Sequence, residues 1–400
     1  MHSAKGEYLK KLTEMHPMPS AGIGKTLEGT SPPSVFIGSW NYPKVYAGPM
    51  ISPAHGDIRI MDTPESWIPD GLSQDEIIRY RMSLVRGKRL WDVRDLSGRF
   101  AEQLRDIALS SISLESEVVF SDTPRGGFAG EHHTPFGPSG YLDSLETSSA
   151  GWIRGLEKVY DDTDLTARDA MVYLHAEGFA PSLVQKALSA GVMGRERDRR
   201  LVPTRWAITA FDTIIGNHLL SEVRNCEIID SFHVHEFSSL HNHYAVILLP
   251  VPWEFEWIEA FLHVNGDEEA IFSDYEGNGG KREYSCVGGC YYSSKMAVLE
   301  ALSRERKQAG VIILREARKG YIPMGVFNVR ENVRHAMTGK PLAFDDLRSA
   351  LNHLSHSFQL PVPRFIKEST VLVRSLKERQ IRLSDFNPES EMNKGSTPMG

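Results

Sequence analysis

Two cations and three carboxylates stand out as groups that could do chemistry. Arg205 and Lys281 could hold an anionic group, and Asp57, Asp212 and Glu276 could act as a general base or ligate a metal. Arg205 closes a dense stretch with Arg195, Arg197, Arg199 and Arg200, which could contact a phosphate backbone. Glu196 and Asp198 interrupt that stretch, so a solvated charged loop is an equal reading. Around Lys281, the run Asp274 to Arg282 carries Gly277, Gly279 and Gly280, and Gly288-Gly289 precede a helix. Glycines let backbone N–H groups approach an anion, and a helix start favours one; a long hairpin loop with an ordinary cap is the alternative. His233, His235, His241 and His243, with Glu236 among them, could face one another on adjacent strands and bind zinc, or be partly buried residues with backbone partners; no metal is assigned. Gly24-Lys25-Thr26 has Pro19 where a nucleotide-binding loop needs glycine, and reads as a linker. Tyr42, Lys44, Asp57, Arg205, Trp206 and Asp212 are expected to line one cleft, because polar and aromatic residues set in short apolar segments are more simply explained by a shared site. The pattern selects no cofactor. Convergence on one pocket would mark an enzyme acting on a phosphorylated nucleotide or nucleic-acid substrate, and scatter would mark a scaffold.

The elements that must position these groups alternate in type. Short strand-like runs occur at Val35 to Gly38, Asn41 to Tyr46, Cys226 to Ile229, Tyr244 to Leu249 and Val311 to Leu314. Ser73 with Glu76 is a capping box opening a helix in which Ile77, Tyr80 and Leu84 face the core and Arg79, Arg86 and Arg89 share another face. Further helices run from Thr166 to Gly178, from Pro181 to Gly191, from about Ser294 to Gln308, and through Leu347, Ala350, Leu351, Leu354 and Phe358. The fold class is mixed α/β (α+β): a mixed sheet core with a helical insert and a flexible carboxy-terminal tail. A chain of 400 residues calls for two packed domains or one elaborated domain. Residues 1–33 read as a loosely held arm, and residues 375–400 as the tail. The longest apolar run, Tyr244 to Trp253, is broken by Pro250 and Pro252 and is too short to span a membrane. The first residues lack the apolar stretch of a secretory signal, which places the chain in the cytoplasm with Cys226, Cys286 and Cys290 reduced. A net charge of −7 excludes coating of nucleic acid by bulk charge, so DNA contact must come from local basic patches. One such patch would be a stripe joining Arg79, Arg86 and Arg89 to the Arg195 to Arg205 cluster, which would make the body a DNA-binding module.

In the tail, Gln380, Leu383 and Phe386 are spaced so that one helical turn projects the aliphatic and aromatic side chains together into a pocket, with Gln380 in a small polar site. The chain also carries Gly38-Ser39-Trp40-Asn41-Tyr42-Pro43-Lys44-Val45 with Gly48-Pro49-Met50, His55-Gly56-Asp57, Asp62-Thr63-Pro64-Glu65-Ser66-Trp67, and Pro203-Thr204-Arg205-Trp206-Ala207-Ile208-Thr209-Ala210 with Asp212. Trp257-Ile258-Glu259-Ala260, Asp274-Tyr275-Glu276-Gly277, Gly288-Gly289 with Tyr291-Tyr292, and Gly325-Val326-Phe327-Asn328-Val329-Arg330-Glu331-Asn332-Val333-Arg334 complete the set. On these motifs the sequence resembles the Nre family of archaeal DNA repair proteins from about residue 34 onward. The resemblance implies a larger amino-terminal domain over residues 34–290, a smaller carboxy-terminal one over 291–374, and a role in DNA damage repair. It also implies a terminal peptide that binds the sliding clamp (PCNA), which Gln380, Leu383 and Phe386 match, with Asn387 where the strongest such peptides carry a second aromatic. Many members carry a cysteine-rich amino-terminal module, which is not carried over, since no cysteine precedes Cys226.

Overall fold

Two six-stranded mixed sheets joined by helices build the computed structural model, which describes residues 5, 7, 8, 23–126 and 135–377. The first sheet holds β1 (Thr26–Ser31), β2 (Val35–Ile37), β3 (Lys44–Ile51), β4 (Val85–Asp92), β5 (Leu114–Phe120) and β6 (Ser139–Thr147), in the order β1-β5-β6-β4-β3-β2. Its neighbours are antiparallel except β4 and β6. Two helices, α1 (Pro64–Trp67) and α2 (Gln74–Met82), lie between β3 and β4, and α3 (Arg99–Leu109) follows β4. The expected helical insert is α4 (Arg154–Asp161), α5 (Ala167–Ala176), α6 (Pro181–Ser189) and the 20-residue α7 (Thr204–Val223).

The second sheet comes from the rest of the chain. A short β7 (Glu227–Ile228) is followed by β8 (Phe232–Ser239), β9 (Asn242–Leu249), β10 (Phe255–Asn265) and β11 (Glu268–Glu276). Next come α8 (Gly289–Glu305), β12 (Lys307–Gln308), β13 (Gly310–Ala317), α9 (Phe327–Ala336), β14 (Leu342–Phe344), α10 (Leu347–Leu354), α11 (Val362–Glu368) and α12 (Thr370–Lys377). The order is β11-β10-β13-β9-β8-β14, while β12 and β7 pair separately in parallel. Every residue of β9 and β13 is buried, as central strands covered on both faces require. Alternation sends Val246, Leu248, Val311 and Ile313 into a core shared with α7, α8 and α9. It sends Ala245, Ile247, Ile312 and Leu314 to the other face, against Leu347, Leu351 and Leu354 of α10 and Phe365 of α11. Burying each such side chain contributes about 1.5–3 kcal/mol.

Several expectations need correcting. The capping box holds, with Ser73 accepting from the Glu76 N–H and the Glu76 carboxylate accepting from the Ser73 N–H. The helix ends at Met82, however, and the chain enters β4, so Arg86 and Arg89 sit on a strand rather than on a helix face with Arg79. Val85, a β-branched residue paired with Ile51, favours that extended course. The arm over residues 1–33 includes β1, paired with β5 in a register that sets buried Leu27 opposite Val118. Here Gly29 permits close approach, since a Cβ would lie 1.9 Å from the Ser52 carbonyl oxygen. The helix expected from Ser294 starts earlier, because Gly288 caps it at φ +75°, and stops at Arg306, which is left-handed at φ +52°. Among the described residues no helix is long and apolar enough to cross a membrane.

Candidate anion-binding cleft

Among the described residues, a buried arginine stands without an acid beside it. Arg86, the second residue of β4, is 7% exposed, and its guanidinium carbon lies 3.5 Å from the ring centroids of both Phe36 on β2 and Phe136. Its backbone N–H donates to the Pro138 carbonyl at 2.8 Å, which fixes it in the sheet. The Nε has no hydrogen-bond partner among the described residues. Burial and the neighbouring Arg81 cation push the Arg86 guanidinium well below the usual arginine range. Stacking on two rings recovers some attraction for the cation but supplies no acceptor for the Nε–H.

Arg86 lines a cleft of 210 Å³ with Arg81, Lys186, Arg205 and Arg330, against one lining carboxylate, Asp62. Each cation comes from a different element: α2 gives Arg81, α6 gives Lys186, α7 gives Arg205 and α9 gives Arg330. Asp62 is shared by an ion pair with Arg81 and one of 2.8 Å with Lys186. Burial alone would raise its carboxyl, but these two cations hold it below the usual range. Arg330 is paired with Asp212 at 2.7 Å and with Glu331 at 3.2 Å. Arg86 and Arg205 thus remain without an ion pair among the described residues. Ser39, Ser182 and Thr204 add hydroxyls, and the Nε2 of buried Gln185 is a further donor without a partner. Such an array of donors and cations suits an anion.

A second cleft, of 280 Å³, gathers three of the groups singled out in the sequence: Asp212, Glu276 and Lys281. Asp212 is fully buried, and burial raises its carboxyl in spite of Arg330; its Oδ2 has no partner. Glu276 accepts from Lys295 at 2.5 Å, and burial lowers the Lys295 ammonium. Lys281 is bound to Asp274 at 2.6 Å, and Asp274 also accepts from the Ser285 hydroxyl and the Cys286 N–H. Within the glycine-rich run Asp274 is thus matched by Lys281, while Glu276 is matched from α8 by Lys295.

The remaining candidates are distributed. Tyr42 and Trp206 pack with ring centroids 5.1 Å apart; neither lines either of these clefts, though Trp206 follows Arg205 in α7. Lys44 is exposed at the start of β3. Asp57 lies apart from both clefts on the surface, holding Arg59 at 2.7 Å and accepting from Ser113. Arg199 is a staple, donating to the carbonyls of Tyr160, Asp162 and Gly194, whereas Arg195, Arg197 and Arg200 are exposed. Leu240 and His241 form the turn of the β8–β9 hairpin, both at positive φ. His243 and His353 hydrogen-bond Glu236, and His233 pairs with Ser231. Among the described residues no group of three or more His, Cys, Asp or Glu is arranged to hold a metal ion. Gln380, Leu383 and Phe386 lie outside the described residues.

Sequence comparison supplies the lineage. The family described as Archaeal Nre, N-terminal matches residues 4–265, and Archaeal Nre, C-terminal matches residues 276–386. This chain belongs to the archaeal Nre family. The DNA repair protein NreB of Archaeoglobus fulgidus is 37% identical over 375 residues, covering 92% of this chain and 94% of that one. The DNA repair protein NreA of the same organism is 35% identical, covering 81% and 83%, and NreA of Haloferax volcanii is 31% identical, covering 87% of each. No solved structure is significantly similar. In this Nre chain both matched segments build the cationic cleft, the first giving Arg81, Arg86, Lys186 and Arg205, and the second Val326, Phe327 and Arg330. Four Nre motifs meet there, through Gly38 and Ser39, Asp62 and Pro64, Thr204 and Arg205, and Phe327 and Arg330. Sequence reasoning missed Arg81, Gln185 and Lys186, and it placed Arg86 in a surface stripe with Arg79 and Arg89, whereas Arg86 is buried. A cation inside the apolar run Leu84 to Gly87 was the available signal for Arg86.

Proposed function

We propose that this Nre chain is a cytoplasmic DNA damage repair factor brought to DNA by a carboxy-terminal peptide that docks on the sliding clamp (PCNA). Its similarity to a DNA repair protein along 92% of its length carries the repair role. Two facts support the docking peptide: the spacing of Gln380, Leu383 and Phe386, and a carboxy-terminal family match that runs to residue 386 and so includes all three. Leu383 and Phe386 would enter one surface pocket as apolar anchors while Gln380 adds polar specificity. Without a second aromatic at Asn387, the affinity expected is on the order of micromolar.

Calorimetric titration of the clamp tests this with the intact chain, a chain ending at Lys377, and a Leu383→Ala/Phe386→Ala double mutant. The cut falls after Lys377 because α12 ends there and buries Val371 and Leu372. Both altered chains should lose about thirtyfold or more in affinity. A truncated chain that bound as tightly as the intact one would move recruitment to the folded body.

One observation favours a second reading, in which the body is an enzyme acting on a phosphorylated nucleotide or nucleic-acid substrate: buried Asp212 keeps a carboxylate oxygen without a partner between two clefts rich in cations. Asp212 would be the base there, with Arg205 or Lys281 holding the anion. Single-turnover cleavage of phosphorylated oligonucleotides, abolished in Asp212→Asn, would support it; unchanged turnover in that variant would remove Asp212 from the reaction.

A further inference from the structure

Arg86 holds a charge that folding has stripped of water without supplying an acid among the described residues. Removing a charge from water costs several kcal/mol, and a protein ordinarily offsets that with a partner carboxylate. Here the available carboxylate, Asp62, is already taken by Arg81 and Lys186. The rings of Phe36 and Phe136 both pack on the guanidinium, each centroid 3.5 Å from its carbon, which restricts its position. Gln185 adds a second buried donor without a partner in the same wall. Arg86 and Gln185, each with a donor that has no partner among the described residues, line one cavity together with Arg205.

Size and surroundings narrow the ligand. A volume of 210 Å³ is below the ~300–1,000 Å³ that takes up a whole drug-sized molecule, so the cleft suits one anionic group of a larger ligand. Outside it stand large aromatics on segments that also line the cleft: Trp40, 75% exposed, follows Gly38 and Ser39, and Trp206, 46% exposed, follows Arg205. Tyr42, 41% exposed, packs against Trp206. Exposed rings beside a cationic groove form a stacking platform for bases, which unpaired nucleotides offer and duplex DNA does not.

We propose that this cleft binds the phosphate of an unpaired nucleotide, with Arg86 and Gln185 as its phosphate donors and the Trp40, Tyr42 and Trp206 platform stacking the base. The ligand is either a free nucleotide or the phosphorylated end of a single strand. The site does not depend on clamp docking, and the test contains no clamp, so the two readings fail separately.

The test uses calorimetric titration of the full chain with inorganic phosphate, thymidine 5′-monophosphate, a 5′-phosphorylated oligothymidine of eight residues, and the same oligomer without the phosphate. The phosphorylated oligomer should bind at least tenfold more tightly than its unphosphorylated form. Thymidine monophosphate binding as well as the phosphorylated oligomer identifies a free nucleotide; much weaker binding identifies the strand end. Arg86→Met, which keeps an apolar stem between the two phenylalanines, should lose the phosphate-dependent gain. Trp206→Ala, at the surface, should weaken both oligomers about tenfold or more, the scale of one lost base-stacking contact. Equal binding of the two oligomers by the unaltered chain would overturn the proposal. So would an Arg86→Met chain that keeps the phosphate preference, and if that variant failed to fold, an unchanged affinity in Trp206→Ala would do the same.

Discussion

Arg330 and Asp212, joined by a 2.7 Å ion pair, stand between two clefts: the guanidinium lines the cationic one and the carboxylate lines the other. One partner comes from α9 and the other from α7, so the pair also ties the second Nre segment to the first. Both groups are buried, so loss of one leaves the other a largely desolvated charge, with Arg330 keeping Glu331 at 3.2 Å. Asp212→Ala should therefore cost about 3 kcal/mol or more in denaturant unfolding, whereas Asp212→Asn, which can still accept from Arg330, should cost less. Asp57→Ala breaks a surface pair and should stay within about 1 kcal/mol.

Arg86 and Asp62 line the same cavity and should respond in opposite directions. Asp62→Ala leaves Arg81 and Lys186 without their shared carboxylate, at a cost of about 3–5 kcal/mol. Arg86→Met removes a buried charge that has no acid partner, so the denaturation midpoint should stay level or rise. A residue whose loss stabilises the fold is one held for binding rather than for packing. Guanidinium chloride curves on the three proteins decide it, and a large loss in Arg86→Met would make that side chain structural.

Acid should destabilise the protein through specific carboxylates. Burial alone would raise Glu236, but hydrogen bonds from His243, Ser357 and His353 hold it down, to about 2. Glu300 is likewise held at about 2, against its burial, by Arg334 and His175. Folding lowers both carboxyls, so the stability they add is complete above the ordinary glutamate value near 4.5 and is lost as pH falls through 4.5 toward 2. Urea midpoints measured from pH 7 to pH 3 should show this decline. Glu236→Gln should flatten it, and an unchanged slope in that variant would assign the acid sensitivity elsewhere.

Local signals in the sequence located elements well. The capping box at Ser73, the Thr166 cap and Pro181 each start a helix, and the unbroken apolar runs of β9 and β13 are central strands. What local signals could not give was the boundary between α2 and β4. Leu84 fits helical spacing after Ile77 and Tyr80, and a short apolar segment looks alike in either state until its partner strand is known. Of the six residues expected in one cleft, Arg205 lines the cationic one and Asp212 the other, while Tyr42, Lys44, Asp57 and Trp206 line neither. Arg86 gains its meaning from Phe36 and Phe136, each 50 residues away, and no local pattern encodes that clamp.

The most direct measurement of the repair role is survival after DNA damage in a strain deleted for this gene and complemented with variants. The unaltered chain should restore resistance. Leu383→Ala/Phe386→Ala and Arg86→Met, each made at normal level, should fall short of it, the first for want of recruitment and the second for want of the phosphate site. A deletion strain as resistant as its parent, or full rescue by both variants, would contradict the account.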